Sequence, residues 1–128
     1  MIQFPFISSN GYLSILRVAL AMIMMAHGII RIYAGTVSGF GDFLAGNGLP
    51  LGKIIAWGIT IFEIVAGITL ILNQYRKWIC ALFIAELIAG IYLVHLKNGW
   101  FVVGYTSGGM EYSTLLILCF LVTASNNK

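Results

Sequence analysis

Four long apolar stretches decide what this chain can fold into. They cover about residues 13–33, 53–72, 78–96 and 110–124. A helix needs about 20 predominantly apolar residues to cross a hydrocarbon core roughly 30 Å thick. The first three stretches reach or approach that length, and the fourth is short for a full span. Overall 60% of residues are hydrophobic and 9% charged, and the apolar ones lie in runs rather than scattered as in a soluble domain. The expected fold is an all-α, integral membrane four-helix bundle, a single domain over residues 1–128, with two Gly-rich loops on the non-cytoplasmic side.

The breaks between the stretches set the order of crossings. Ser8-Ser9-Asn10-Gly11 opens the first stretch and Ala34-Gly35 ends it, while Gly46-Asn47-Gly48-Leu49-Pro50 precedes the second. Asn73-Gln74-Tyr75-Arg76-Lys77 reads as a tight turn, which makes the second and third spans an antiparallel hairpin. Residues 34–52 and 97–109 are longer, Gly-rich and aromatic. They flank the hairpin, so both belong on one face, capping the bundle at the interface. Trp57, Trp78, Trp100 and Tyr105 fall near span ends, where interfacial aromatics gather. Basic residues then orient the chain. Arg17, Arg76, Lys77 and Lys128 lie on one side, and Arg31, Lys53 and Lys97 on the other. This bias favours a multi-pass protein of the inner (plasma) membrane with both termini cytoplasmic.

Several function classes drop out. The formal charge is +3, but the basic residues form no patch or stripe, so nucleic-acid binding is not expected. The first apolar run is too long for a signal-peptide core and lacks a small-residue cleavage site, so it reads as a retained helix. Cys80 and Cys119 form no CxxC and read as small buried hydrophobes rather than a disulfide.

Six ionisable residues interrupt the apolar stretches: Arg17, His27, Glu63, Glu86, His95 and Glu111. Such groups are costly inside a membrane and point to function by default. At a rise of about 1.5 Å per residue, His27 lies roughly 9 Å below the outer end of the first span, with Arg31 one turn above it. Glu63 lies roughly 15 Å inside the second span. His95 closes the third span and Glu111 opens the fourth. Residues Ala56, Thr60 and Gly67 share the face of Glu63, and small residues there allow a neighbouring helix to approach. His27, Glu63, His95 and Glu111 are therefore the candidate ligand-binding residues, converging in one outer polar layer. Arg17 reads as a snorkelling or structural residue, and Arg31 as an interfacial anchor. Glu86 and His95 are nine apart, opposite one another on a straight helix, so unless the third helix bends they cannot line one pocket, and Glu86 serves another interface or pairs with Arg17.

The order of motifs also carries a resemblance. Arg17-Val-Ala-Leu-Ala and Ala26-His27-Gly28 resemble the opening helix of the DoxX family. Gly39-Phe40, Phe43-Leu44-Ala45 and Gly48-Leu49-Pro50 are similar to its first loop, and Glu63-Ile-Val-Ala-Gly67 to its second helix. His95-Leu-Lys-Asn98-Gly99-Trp-Phe and Gly108-Gly109-Met-Glu111-Tyr112 resemble the third-helix end and the fourth-helix start. Glu86 departs from the pattern, in which that position is apolar. The resemblance implies a small four-helix integral membrane protein. Its relatives are linked to quinone-dependent oxidation, including a membrane subunit of a thiosulfate:quinone oxidoreductase, and to complexes with soluble redox-defence enzymes.

Two functions compete on this basis. In the first, the chain is a membrane subunit or accessory protein of a quinone-linked redox system. Glu63 exchanges protons, His27 and His95 hydrogen-bond the quinone oxygens, and Glu111 holds a histidine in position. No cofactor is expected to be built in, since CxxC, haem and dinucleotide-loop motifs are missing, so a quinone is the substrate or ligand and electrons pass through a partner. In the second, the chain is a non-catalytic scaffold that recruits partner proteins, and the ionisable layer locks the helices. Partners would be the lipid bilayer, a soluble redox enzyme or other subunit, or a second copy. No metal is expected, because the histidines sit in different spans without a ligand spacing. A proton-relay transporter would need a homo-oligomer.

Overall fold

A computed structural model describes residues 3–126. Lys128, counted above among the basic residues, lies outside the described residues. The chain forms helices α1 (Ser9–Tyr33), α2 (Val37–Gly46), α3 (Gly52–Ile71), α4 (Arg76–Gly90) and α5 (Glu111–Ser125). A π turn (Ile91–His95) and a 3-10 turn (Leu96–Asn98) prolong α4. Helix α1, α3 and the Arg76–Asn98 run are each long and apolar enough to cross a membrane, whereas α5 is apolar but shorter. Ile15, Met22, Ile61, Val65, Leu82 and Leu121 are among the large apolar side chains left exposed along these helices, surface that a bilayer would cover.

Among the described residues there are five α-helices against the expected four. Residues 34–52, expected as loop, contain α2, because Val37, Phe40, Gly41 and Leu44 recur at helical spacing and Val37, Gly41 and Leu44 are buried. A Cβ added at Gly52 would come within 2.2 Å of Gly41 O. The start of α3 can meet α2 backbone to backbone only because neither residue has a side chain.

The contacts divide the chain into two compact units, Ala21–Gln74 and the residues up to Leu20 with those from Tyr75 onward. Within Ala21–Gln74, the C-terminal part of α1 runs antiparallel to α3. Gly67 faces Met25 and Gly28 faces Thr60, so numbers rise along one helix as they fall along the other. Ala56, Thr60, Glu63, Gly67 and Leu70 form the buried face of α3, the face assigned to Glu63 from spacing. In the other unit α4 and α5 are antiparallel. Arg76 at the start of α4 donates to the Asn126 carbonyl beyond the end of α5. Phe83 and Phe120 pack between them with ring centroids 5.3 Å apart. Cys80 is buried, Cys119 half-buried, and both are free thiols. The N-terminal cap of α1 is Ser8, whose Oγ accepts the Gly11 N–H at 3.2 Å.

Candidate functional site

Two polar clusters stand out, one in each unit. In Ala21–Gln74, Glu63 is buried, its side chain 3% exposed, and its Oε1 accepts Arg31 Nη1 at 2.8 Å. The same Nη1 donates to Thr60 Oγ1 at 2.8 Å, and Thr60 in turn donates to Ala56 O at 2.7 Å. The Phe40 ring on α2 lies 4.6 Å from the Arg31 guanidinium carbon, a cation–π distance. An unpaired carboxylate at this position would be prohibitive, and the guanidinium supplies the compensating charge. Arg31 is therefore not an interfacial anchor. Its side chain is 18% exposed and tied down into the helix pair. His27, one turn earlier, is exposed and outside this ion pair. Asp42 and Lys53 approach to 3.9 Å with both side chains largely exposed, a pair worth little.

The second cluster closes residues 99–110 into a compact loop. Gly108 N donates to Val102 O and Gly109 N to Phe101 O, both at 3.0 Å. Met110 N donates to Gly99 O and Glu111 N to Trp100 O. The loop needs its glycines here. A Cβ at Gly109 would sit 2.5 Å from the Trp100 carbonyl carbon, and Gly99, Gly104 and Gly108 all have positive φ. His95 Nδ1 lies 2.8 Å from Gly108 O. A carbonyl can only accept, so Nδ1 carries a proton and donates it to Gly108 O. Asn98 Nδ2 shares the same carbonyl at 3.4 Å. Glu111 begins α5, where its charge suits the helix dipole, and its Oε1 accepts the Val102 N–H at 3.0 Å. The expected role of Glu111 in holding a histidine is corrected: Glu111 and His95 each hold the loop, at Val102 and at Gly108.

Beside this loop lies a groove of about 500 Å³ lined by Trp100, Val102, Glu111, Tyr112, Thr114, Leu115 and Leu118. That volume falls within the roughly 300–1,000 Å³ of small-molecule sites. Residues 111, 114, 115 and 118 are one stripe of α5, so the carboxylate sits at the head of an open apolar groove along the helix, with Leu115 and Leu118 exposed on it. Thr114 Oγ1 donates to Met110 O at 2.8 Å. Among the described residues no three His, Cys, Asp or Glu side chains gather into a set that could hold a metal ion.

Of the four expected ligand residues, Glu63 and His27 lie in one unit and His95 and Glu111 in the other. Arg31, Thr60 and Phe40 were the residues that spacing left out. The available signal was Arg31 on the same stripe as His27 and Thr60 on the same stripe as Glu63. A π turn over Ile91–His95 lies between Glu86 and His95, a departure from the straight helix that their opposite placement assumes.

A family model described as DoxX matches residues 12–96. The chain belongs to the DoxX family. The match takes in the Arg17, His27 and Glu63 motifs, and with them the Arg31–Glu63 pair, and stops one residue after His95. It ends before the closed loop, Glu111 and α5, which the motif resemblance includes. Comparison with curated proteins finds no match, and comparison with solved structures finds none either. DoxX membership and three span-length helices describe a membrane protein, and they leave the ligand to be argued from geometry.

Proposed function

We propose that this DoxX protein is a membrane subunit or accessory protein of a quinone-linked redox system, and that it binds the quinone-like ligand in the groove headed by Glu111. The observation that carries this reading is the groove itself, in which one carboxylate stands at the end of an open apolar stretch flanked by Trp100 and Tyr112. Quinones combine a flat ring with a long apolar tail. The aromatic side chains suit the ring, and Leu115 and Leu118 continue along α5 as a wall for the tail. A quinone couple exchanges two protons with two electrons. Glu111 supplies a proton acceptor at the ring, His95 Nε2 a second one at the loop, and the electrons pass to or from a partner subunit. His27 remains a candidate contact by its exposure within a span. Glu63 takes the other role considered for it, locking α1 to α3 through Arg31.

Equilibrium binding of a short-chain benzoquinone to protein purified in mild detergent tests this. Wild type is expected to bind, Leu118→Trp to lose most of the affinity by filling the groove, and Glu63→Gln to lose stability but keep affinity in the folded fraction. No binding by wild type would sink the reading. Loss of binding in folded Glu63→Gln would move the site to the other cluster. The scaffold alternative predicts instead that the protein captures a partner while binding no quinone in any form.

A further inference from the structure

We infer that the groove at Glu111 discriminates between redox forms and takes the reduced, hydroxyl-bearing quinol in preference to the quinone; this rests on the quinone reading above. The discrimination comes from which hydrogen-bonding roles the groove offers. Glu111 as a carboxylate is acceptor-only. One oxygen already receives the Val102 N–H at 3.0 Å, and the group retains lone pairs for a further donor. Thr114 spends its only hydroxyl proton on Met110 O, so toward the groove it too offers lone pairs alone. Of the other lining residues, Trp100 carries an indole N–H donor, and the Tyr112 hydroxyl can act either way.

The two forms of the ligand differ in the complementary sense. A quinone oxygen only accepts, whereas a quinol oxygen both donates and accepts. The donors in the groove, Trp100 and Tyr112, therefore serve either form and do not discriminate. The acceptors do. A quinol hydroxyl donates to the Glu111 carboxylate in a charge-assisted bond. A quinone carbonyl in the same place sets acceptor against acceptor and strips water from both without a replacement bond. The walls from Val102, Leu115 and Leu118 are apolar and add no donor for an acceptor placed against Glu111. Such a site releases its ligand when the quinol is oxidised and holds it when the quinone is reduced.

The test measures binding of a decyl-substituted benzoquinone, and anaerobically of the same compound reduced to the benzoquinol, to the purified full-length protein at neutral pH. Wild type is expected to favour the quinol by at least about tenfold. Glu111→Gln keeps a carbonyl oxygen for the Val102 N–H and adds an amide donor, so the ratio should fall to unity or invert while the melting temperature stays close to wild type. Thr114→Val removes the second acceptor at similar volume, and should reduce the same ratio even if the Gln variant fails to fold. Equal affinity of wild type for both forms overturns the inference and leaves the quinone reading standing. So does a preference unchanged in folded Glu111→Gln. Failure to bind either form overturns both.

Discussion

Glu63 shows how a single residue's meaning changes once its partner is known. By itself a carboxylate in the middle of an apolar helix is a functional candidate; paired with Arg31 and Thr60 it is a fastening between two helices. Desolvating both charges offsets much of their attraction, so the pair is poor evidence of large net stability, but removing one partner strands the other. Arg31→Met and Glu63→Leu should each cost about 3–5 kcal/mol, while the double variant should recover much of that loss. Unfolding midpoints in mild detergent for the four members of this cycle check it. Losses that simply add would show that the two charges are not coupled. Sequence spacing put Glu63 on the right face but gave Arg31 to the interface, because spacing locates Cα atoms, whereas a guanidinium on a long stem can reach down to a neighbouring helix.

At the scale of the elements, helix packing in this chain depends on where glycines meet backbone. A Cβ at Gly28 would lie 2.7 Å from Thr60 O, and one at Gly52 would lie 2.2 Å from Gly41 O. Backbone cannot swing aside, so Gly28→Ala and Gly52→Ala should each destabilise by about 1–3 kcal/mol. At Gly67 the closest atom belongs to the flexible Met25 side chain, so Ala there should cost less. Gly58 has nothing within 4 Å, and Gly58→Ala should be neutral or gain up to about 1 kcal/mol from helix propensity. Thermal unfolding of the four single variants ranks them; equal effects at Gly28 and Gly58 would contradict the close crossing. The same elements show what was legible in advance. The span-length helices were, since long apolar runs have few alternatives, and their observed ends fall within four residues of those expected. Helix α2 was not, because Gly39, Gly41 and Gly46 give its ten residues the composition of a loop while Val37, Phe40 and Leu44 keep a helical stripe. The π turn over Ile91–His95 leaves no mark in residue type, so an angular argument that assumes a straight helix does not register it. Glu111 was legible as a candidate by charge, but its groove depends on the 99–110 loop folding back on itself through backbone bonds.

For the whole molecule the open question of physical consequence is how a 15-residue α5 shares a bilayer with longer neighbours. At 1.5 Å per residue α5 reaches about 22 Å, against a hydrocarbon core of roughly 30 Å, while the Arg76–Asn98 run has 23 residues. The closed loop offers a way to fill the difference. Backbone groups at Gly99, Trp100, Phe101, Val102, Gly108, Gly109 and Met110 are engaged with one another, so the base of the loop satisfies those polar groups internally, as backbone near the hydrocarbon must. Trp100, Phe101, Val103 and Tyr105 are exposed on it, in keeping with an interfacial setting. If α5 then crosses with its loop embedded in one interface, cysteines placed at Asp42 and Ser107 should react with an impermeant thiol reagent from one side of the membrane. Cysteines at Lys77 and Ser125 should react from the other, with the native thiols first replaced by Ala. The distribution of basic residues leads to the expectation that Asp42 and Ser107 label from outside. Labelling of Ser125 from the same side as Ser107 would show that α5 does not cross. The Glu111 groove would then lie along a helix resting in the interface, where a ligand would enter from the membrane surface rather than from the hydrocarbon.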